Sequence, residues 1–289
     1  MTFYASGQVD VRKQLINAEL KGFAEALYKM KQVVTIATTG AWRNDYFRES
    51  PSVLTAGRSR SVKGIPRGAA FPQVTETWEK VRTDIEKYGA ESSIAYEDII
   101  SGEVNVRDRT LFRVAEAVTY SVDSQIYAGL SGDSSIQSFT IAGGVGGKTW
   151  DASSAAIMDD LEYAEQLIGT YNYDTSNLFV LVNLRDKRSV MAYLLAKGAQ
   201  IPQITNDKVG NGIVGKLGNK TFVVSPVVAT STALVVAAKV CATWKELMPL
   251  TSDVQTEPLK DVRIRAAEYG VLQVTDPKSI VKINNTLSA

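Results

Sequence analysis

An α+β fold is predicted by three features of this 289-residue chain. Its elements run helix, long irregular stretch, long helix, mixed helix–strand block, then strands alone, unlike the regular alternation of a parallel βαβ sheet. One segment, from Asn105 to Gly129, holds a helical period for six turns. The carboxy-terminal part breaks into short runs of β-branched residues separated by turn residues, the signature of strands.

Taken in order, residues 9–31 place Ile16, Leu20, Phe23, Leu27 and Met30 at helical spacing, which predicts an amphipathic helix. The strand-like "QVVTIAT" follows. From Gly40 to Gln73 the chain is rich in Gly, Ser, Pro and Arg and shows no sustained period, so it reads as a long loop. Thr75–Lys87, with Trp78, Val81 and Ile85 as apolar points, reads as an extended strand. Asn105 is a good amino-terminal cap with Asp108 three residues on. The stripe Leu111, Val114, Ala115, Val118, Val122 and Ile126 then continues until Gly129 and Gly132.

A glycine-rich loop leads to a helix through Ile157, Leu161, Ala164, Leu167 and Ile168, capped by Asp151 or Ser153 and stopped by Gly169. "NLFVLVN" reads as a buried strand. A helix from Asp186 carries Val190, Leu194 and Leu195 and ends at Gly198. "KTFVVSP", "ALVVAAKVCATW", "DVRIRAAEYGVLQVTDP" and "SIVKI" read as strands.

Composition excludes much chemistry. The chain has no histidine, which removes Ser-His-Asp and Cys-His catalysis and most zinc sites. Cys241 is the only cysteine and lies in an apolar run, where it reads as a small buried hydrophobe. A net charge of +1 gives no global attraction to nucleic acid or membrane, and no apolar run approaches the roughly 20 residues of a membrane span. A soluble chain without disulfides is expected.

One stretch imitates an active site. Ala142–Thr149, "AGGVGGKT", has the residue order of a phosphate-binding loop. Such a loop joins a buried strand to a helix that begins at the Lys-Thr, so that backbone amides and helix dipole meet the phosphates together. Here the preceding "DSSIQSFTIA" is too polar for a central strand. The cap residues place Lys148 ahead of the helix, and the strand "LFVLV" is followed by neutral Asn183 where a magnesium-holding acid is needed. A pliable glycine loop is the better reading. Glu97 and Asp98 read as a solvated acidic turn, and Asp159, Asp160, Glu162 and Glu165 as the solvated face of their helix. No catalytic, cofactor or metal site is expected.

Charge is instead segregated. Between Ser50 and Gln73, Arg58, Arg60, Lys63 and Arg67 face no acidic residue; from Glu76 to Glu103 eight acids, among them Glu76, Glu79, Asp84 and Glu86, outnumber three bases. Two solvated surfaces would account for this. So would the basic loop of one copy lying on the acidic strand region of another, since opposite patches steer and register contacts.

The residues "WEKVRTDIEKYGAESSIAYEDI", "VRDRTLFRVAEAVTYSVDSQIYAGL", "LFVLVN…VMAYLLAKGAQI" and the closing "VRIRAAEYGVLQVTDPKSIVKI" together resemble the major capsid proteins of tailed bacteriophages, whose Hong Kong 97-type fold is shared with encapsulins. The likeness lies in the order of the motifs and covers nearly the whole chain. It implies an amino-terminal arm with its helix and strand (1–39), an extended loop overlapping a neighbouring subunit (40–75), a peripheral domain with a long spine helix (76–130 and 255–289), and an axial domain (131–254). It implies a non-enzymatic protein that self-assembles as pentamers and hexamers into an icosahedral shell around double-stranded DNA, contacted non-specifically. Its place would be the virion, assembled in the host cytoplasm, with no membrane partner.

Arg58, Arg60, Lys63 and Arg67 would then be loop contacts, and Glu76, Glu79, Asp84 and Glu86 their counterpart. Some family members cross-link a loop lysine to an asparagine. Lys63 is the only lysine of the loop, and "PLTSDVQTEPLKD" supplies no asparagine, so non-covalent contacts are expected. The first helix starts near the beginning of the sequence, which implies a separate scaffolding protein or none, beside portal and decoration proteins. The alternatives are an encapsulin-type compartment and, from another class, a phosphate-loop nucleotide-binding protein.

Overall fold

The computed structural model describes residues 6–49, 65–70, 78–101, 106–141, 147–196, 213–257 and 260–288. In chain order the elements are α1 (Ser6–Leu27), β1 (Thr35–Thr38), β2 (Arg43–Glu49), β3 (Trp78–Asp84), β4 (Glu86–Ala95), α2 (Tyr96–Ser101), α3 (Val106–Gly132), β5 (Gln137–Thr140), α4 (Ile157–Gly169), β6 (Leu178–Val182), α5 (Leu184–Ala196), β7 (Ile213–Leu217), β8 (Lys220–Val224), β9 (Thr232–Ala237), β10 (Ala242–Glu257), β11 (Asp261–Val274) and β12 (Ile280–Asn284). This is the α+β class expected. The strands form a four-stranded sheet ordered β1-β10-β11-β4, a six-stranded sheet ordered β5-β12-β9-β6-β8-β7, and a β2-β3 ribbon.

The long helix α3 is the spine of the molecule. At 27 residues it is about 40 Å long. Its periodic stripe Leu111, Val114, Ala115, Val118, Val122, Ile126 is buried, extended by Leu130. Burying each such aliphatic side chain contributes roughly 1.5–3 kcal/mol, enough to hold a long helix against a sheet. Gly129 does not end the helix. It lies inside it, where a β carbon would stand 2.6 Å from the Cδ2 tip of Leu272 of β11. Asn105 lies outside the described residues.

On the same core lies α1, with Ile16, Leu20 and Ala24 buried and Phe23 and Leu27 half-buried, followed by buried Tyr28 just past its end, so the buried stripe is rotated slightly from the one expected. The helix stops at Leu27, and Met30–Gln32 form a separate 3-10 turn.

The six-stranded sheet is covered on both faces. Leu181, Val223, Leu234 and Val236 face the core shared with α3, whereas Val180, Val182, Val224, Ala233 and Val235 face the core under α4. Double coverage explains why these strands read as continuous apolar runs. "ALVVAAKVCATW" is two strands, because Lys239 turns the chain at φ 59° between β9 and β10. Cys241 is fully buried, as expected, and burial pushes its thiol up to about 12.

The segment 40–73, expected to be one loop, contains the strand β2, which pairs antiparallel with β3 from Arg43↔Asp84 to Glu49↔Trp78. Sheet membership also differs from chain order. β10 belongs entirely to the four-stranded sheet, although most of it falls within 131–254. β12, within 255–289, completes the six-stranded one between β5 and β9.

Candidate assembly surfaces

Three places in the fold carry chemistry beyond ordinary packing. The first joins the amino-terminal helix to everything else. Asp123, 3% exposed on α3, accepts the backbone N–H groups of Lys29 (2.9 Å) and Met30 (3.2 Å), capping the turn that follows α1. Burial pushes the Asp123 carboxyl up to about 6. On the other side of the turn, fully buried Glu268 of β11 accepts from Lys31 Nζ (2.5 Å), Trp244 Nε1 (3.1 Å) and the Tyr28 hydroxyl. Lys31 also reaches Glu246 at 3.4 Å and stands 4.0 Å over the Tyr28 ring. A buried carboxylate is tolerable when it is paired and hydrogen-bonded in this way. Sequence reading found none of these groups, because their partners lie 24 to 240 residues apart, most of them more than 90.

The second is the β2-β3 ribbon. One face rests on the body: Arg48, with only 10% of its side chain exposed, donates to Asp133 (2.6 Å) and Glu79 (2.9 Å), and Gln273 donates to Thr83 (2.9 Å). The other face is open. There Arg43 pairs with Asp84 at 3.0 Å, and Asp45 pairs with Lys80 at 2.7 Å and Arg82 at 3.5 Å. The Lys80 hydrogen bond holds the Asp45 carboxyl below the usual carboxylate range. Phe47 and Trp78 are left 60% and 54% exposed on the same face, and at the far end of the ribbon Trp42, edge-on to Tyr269, is also exposed. Charges satisfied within the chain, with aromatics left outside, make a surface whose remaining free energy comes from apolar burial.

The residues singled out from sequence fall as follows. Glu79 and Asp84 are brought to the ribbon and engaged there by Arg48 and Arg43. Glu86 accepts from the Tyr88 hydroxyl at 2.7 Å. Arg67 is exposed on a turn at Pro66–Gly68. Arg58, Arg60, Lys63 and Glu76 lie outside the described residues. Glu97 and Asp98 are exposed in the first turn of α2.

The third place is the pair of helices over the six-stranded sheet. Of the four acids expected to be solvated on α4, Asp159 and Glu162 are exposed, Glu162 within 3.6 Å of Lys220, but the other two are held by their surroundings. Asp160 is buried and accepts from Trp150 Nε1 at 3.0 Å. Glu165 accepts from fully buried Lys220 at 2.5 Å and from Asn219 at 2.7 Å. Those two acids hold neighbouring loops and strands to the helix.

The phosphate-loop pattern does not form a phosphate site in its described part. Lys148 Nζ donates to Ser154 at 2.7 Å, and α4 starts only at Ile157. The helix has no side-chain cap, so neither Asp151 nor Ser153 takes that role; Asp151 is held instead by Ser288. β5 is an edge strand, not a central one, and Asn183 donates to the Val228 carbonyl at 2.6 Å. Ala142–Gly146 lie outside the described residues. Among the described residues no group of three metal-binding side chains occurs, and no helix is long and apolar enough to cross a membrane.

Comparison with known proteins gives one family match. Residues 78–283 match the family model described as phage capsid protein. No curated protein sequence matches the chain. Among solved structures, a virus-like particle from Pyrococcus furiosus is similar at TM-score 0.65 and 9% identity, covering 94% of this chain and 99% of its own. The capsid of cyanophage P-SCSP1u is similar at TM-score 0.62 and 12% identity, covering 88% and 86%. The holo-SrpI encapsulin complex of Synechococcus elongatus PCC 7942 is similar at TM-score 0.59 and 10% identity, covering 88% and 85%.

Proposed function

The chain belongs to the phage capsid protein family, has the Hong Kong 97-type fold and is a major capsid protein with a structural role; from that premise we propose how it builds a shell. Copies associate as pentamers and hexamers that close into an icosahedral shell around double-stranded DNA, assembled in the host cytoplasm with separate scaffolding, portal or decoration proteins. The observation that supports this most is the open face of the β2-β3 ribbon, where Phe47 and Trp78 stay exposed while Arg43 pairs with Asp84, and Asp45 with Lys80 and Arg82, within the chain. Such a face gains most by being covered with another copy. Many such contacts, individually weak, sum across a shell.

Within this reading the arm and loop keep their sequence bounds, 1–39 and 40–75. The strands β4, β10 and β11 of the four-stranded sheet, with α3, are assigned to the peripheral domain, and the six-stranded sheet with α4 and α5 to the axial domain, β12 included. The basic residues Arg58, Arg60, Lys63 and Arg67 act on a neighbour's acidic strand region. Because Glu79 and Asp84 already have partners, this attraction works by steering rather than by new ion pairs. Reversing Arg58 and Arg60 to Glu is expected to slow assembly while the subunit keeps its native circular dichroism. Closed shells forming at the wild-type rate would overturn the electrostatic part.

The encapsulin-type compartment is the second reading, supported by the fold likeness to the cyanobacterial complex. Nucleic acid extracted from particles of the native source decides between them: packaged double-stranded DNA supports the capsid, an enzyme cargo without DNA the compartment.

A further inference from the structure

α5 carries a surface that no described residue covers. Leu184 and Leu195 are 58% and 57% exposed. Eleven residues apart, they fall on one helix face about 16 Å from each other, with Arg188 and Ala192 between them. Arg185, Lys187 and Arg188 crowd the first turns, where the helix dipole disfavours cations. The only acid of the helix, Asp186, is fully buried and accepts from the Thr286 hydroxyl; it attracts Arg185 from within, but α5 offers no other acid to Lys187 and Arg188. The excess of cations on the outer face is thus only partly offset within the helix.

α4, covering the same sheet, is its opposite. The helix contains no Lys or Arg, and its outward positions include Asp159 and Glu162, the latter with 65% of its side chain exposed. Lys220 pairs closely with Glu165 at 2.5 Å and more loosely with Glu162 at 3.6 Å, which leaves most of the Glu162 side chain exposed.

We propose that the outer face of α5 in one copy docks against the outer face of α4 in a second copy, Arg185, Lys187 and Arg188 meeting Asp159 and Glu162 while Leu184 and Leu195 are covered. This rests on the self-assembly reading above and names a contact for it apart from the ribbon. The two halves are different surfaces of one chain, so every copy presents both, as a repeating contact requires.

The test is a charge exchange followed by sedimentation and electron microscopy at physiological salt. Arg185→Glu/Arg188→Glu and Asp159→Lys/Glu162→Gln are each expected to lower the assembled fraction at least tenfold. The four-substitution protein is expected to recover most of it, and wild-type assembly to slow as salt rises. Thermal melts check that each variant is folded; for any that is not, the neutral pair Arg188→Gln and Asp159→Asn is run as a double-mutant cycle with the same expected coupling. One-sided variants that assemble as the wild type does, or an exchange that restores nothing, overturn the contact while leaving the shell intact. One-sided α5 variants that assemble normally but lose DNA binding overturn it in favour of a nucleic-acid surface. A wild-type chain that never assembles overturns the self-assembly reading itself.

Discussion

Gly270 sits where a β carbon would fall 2.5 to 2.9 Å from three atoms of the buried Trp244 indole, whose N–H is tied to Glu268. Because that ring cannot swing aside without losing its hydrogen bond, Gly270→Ala is expected to cost about 1–3 kcal/mol, measured by urea unfolding. Gly129 offers the contrast. An added methyl there meets only the tip of Leu272, and a helix-interior Ala gains back roughly 1 kcal/mol, so Gly129→Ala is expected to stay close to wild type in the same measurement. Asp123 makes stability depend on pH. Its folded value of about 6 is above its usual one, so the folded state holds the extra proton between about pH 4 and 6. Its contribution is therefore most favourable below about pH 4 and is lost as pH rises through 6, by at most about 3 kcal/mol. Asp123→Asn is expected to remove that part of the slope, seen by comparing the two proteins' unfolding free energies at pH 4.5 and 7.5. Identical slopes would contradict it.

Among the elements, the ribbon depends most on a single side chain. A two-stranded ribbon is marginal alone, and Arg48 ties this one to the body through Asp133. Arg48→Ala leaves that acid, with 15% of its side chain exposed, without its guanidinium. The expected cost is about 1–3 kcal/mol, with faster amide exchange confined to β2 and β3. How far each element could be read beforehand follows from where its partners lie. α3 and α4 were legible because a periodic apolar stripe is local to the helix that bears it. β2 was not, since "RNDYFRE" alternates charges with aromatics rather than apolar with polar residues, and its partner strand begins about 30 residues on. The turn at Lys239 was hidden because a left-handed lysine has no composition signal. Of the candidate contacts, the segregation of charge was visible in sequence. That Glu79 and Asp84 are already paired was not, for ribbon pairing creates those ion pairs. The α5 surface is hidden in the sequence for a related reason: Asp186 sits among three cations there, and only its burial against Thr286 shows that it is turned inward.

At the scale of the whole molecule, the two sheets share α3 and a continuous core, while the surfaces left unsatisfied lie on separate elements: the aromatic ribbon, the basic α5 and the acidic α4. A chain built this way has its folding free energy inside and its association free energy spread over several faces. The central claim is that copies of this one chain close into a shell. Electron microscopy of the purified protein, over a range of concentrations at physiological salt, tests it most directly. The expected result is hollow particles of uniform size with five-fold and six-fold rings of subunits. A natively folded population that remains 31.4 kDa monomers at every concentration would contradict it.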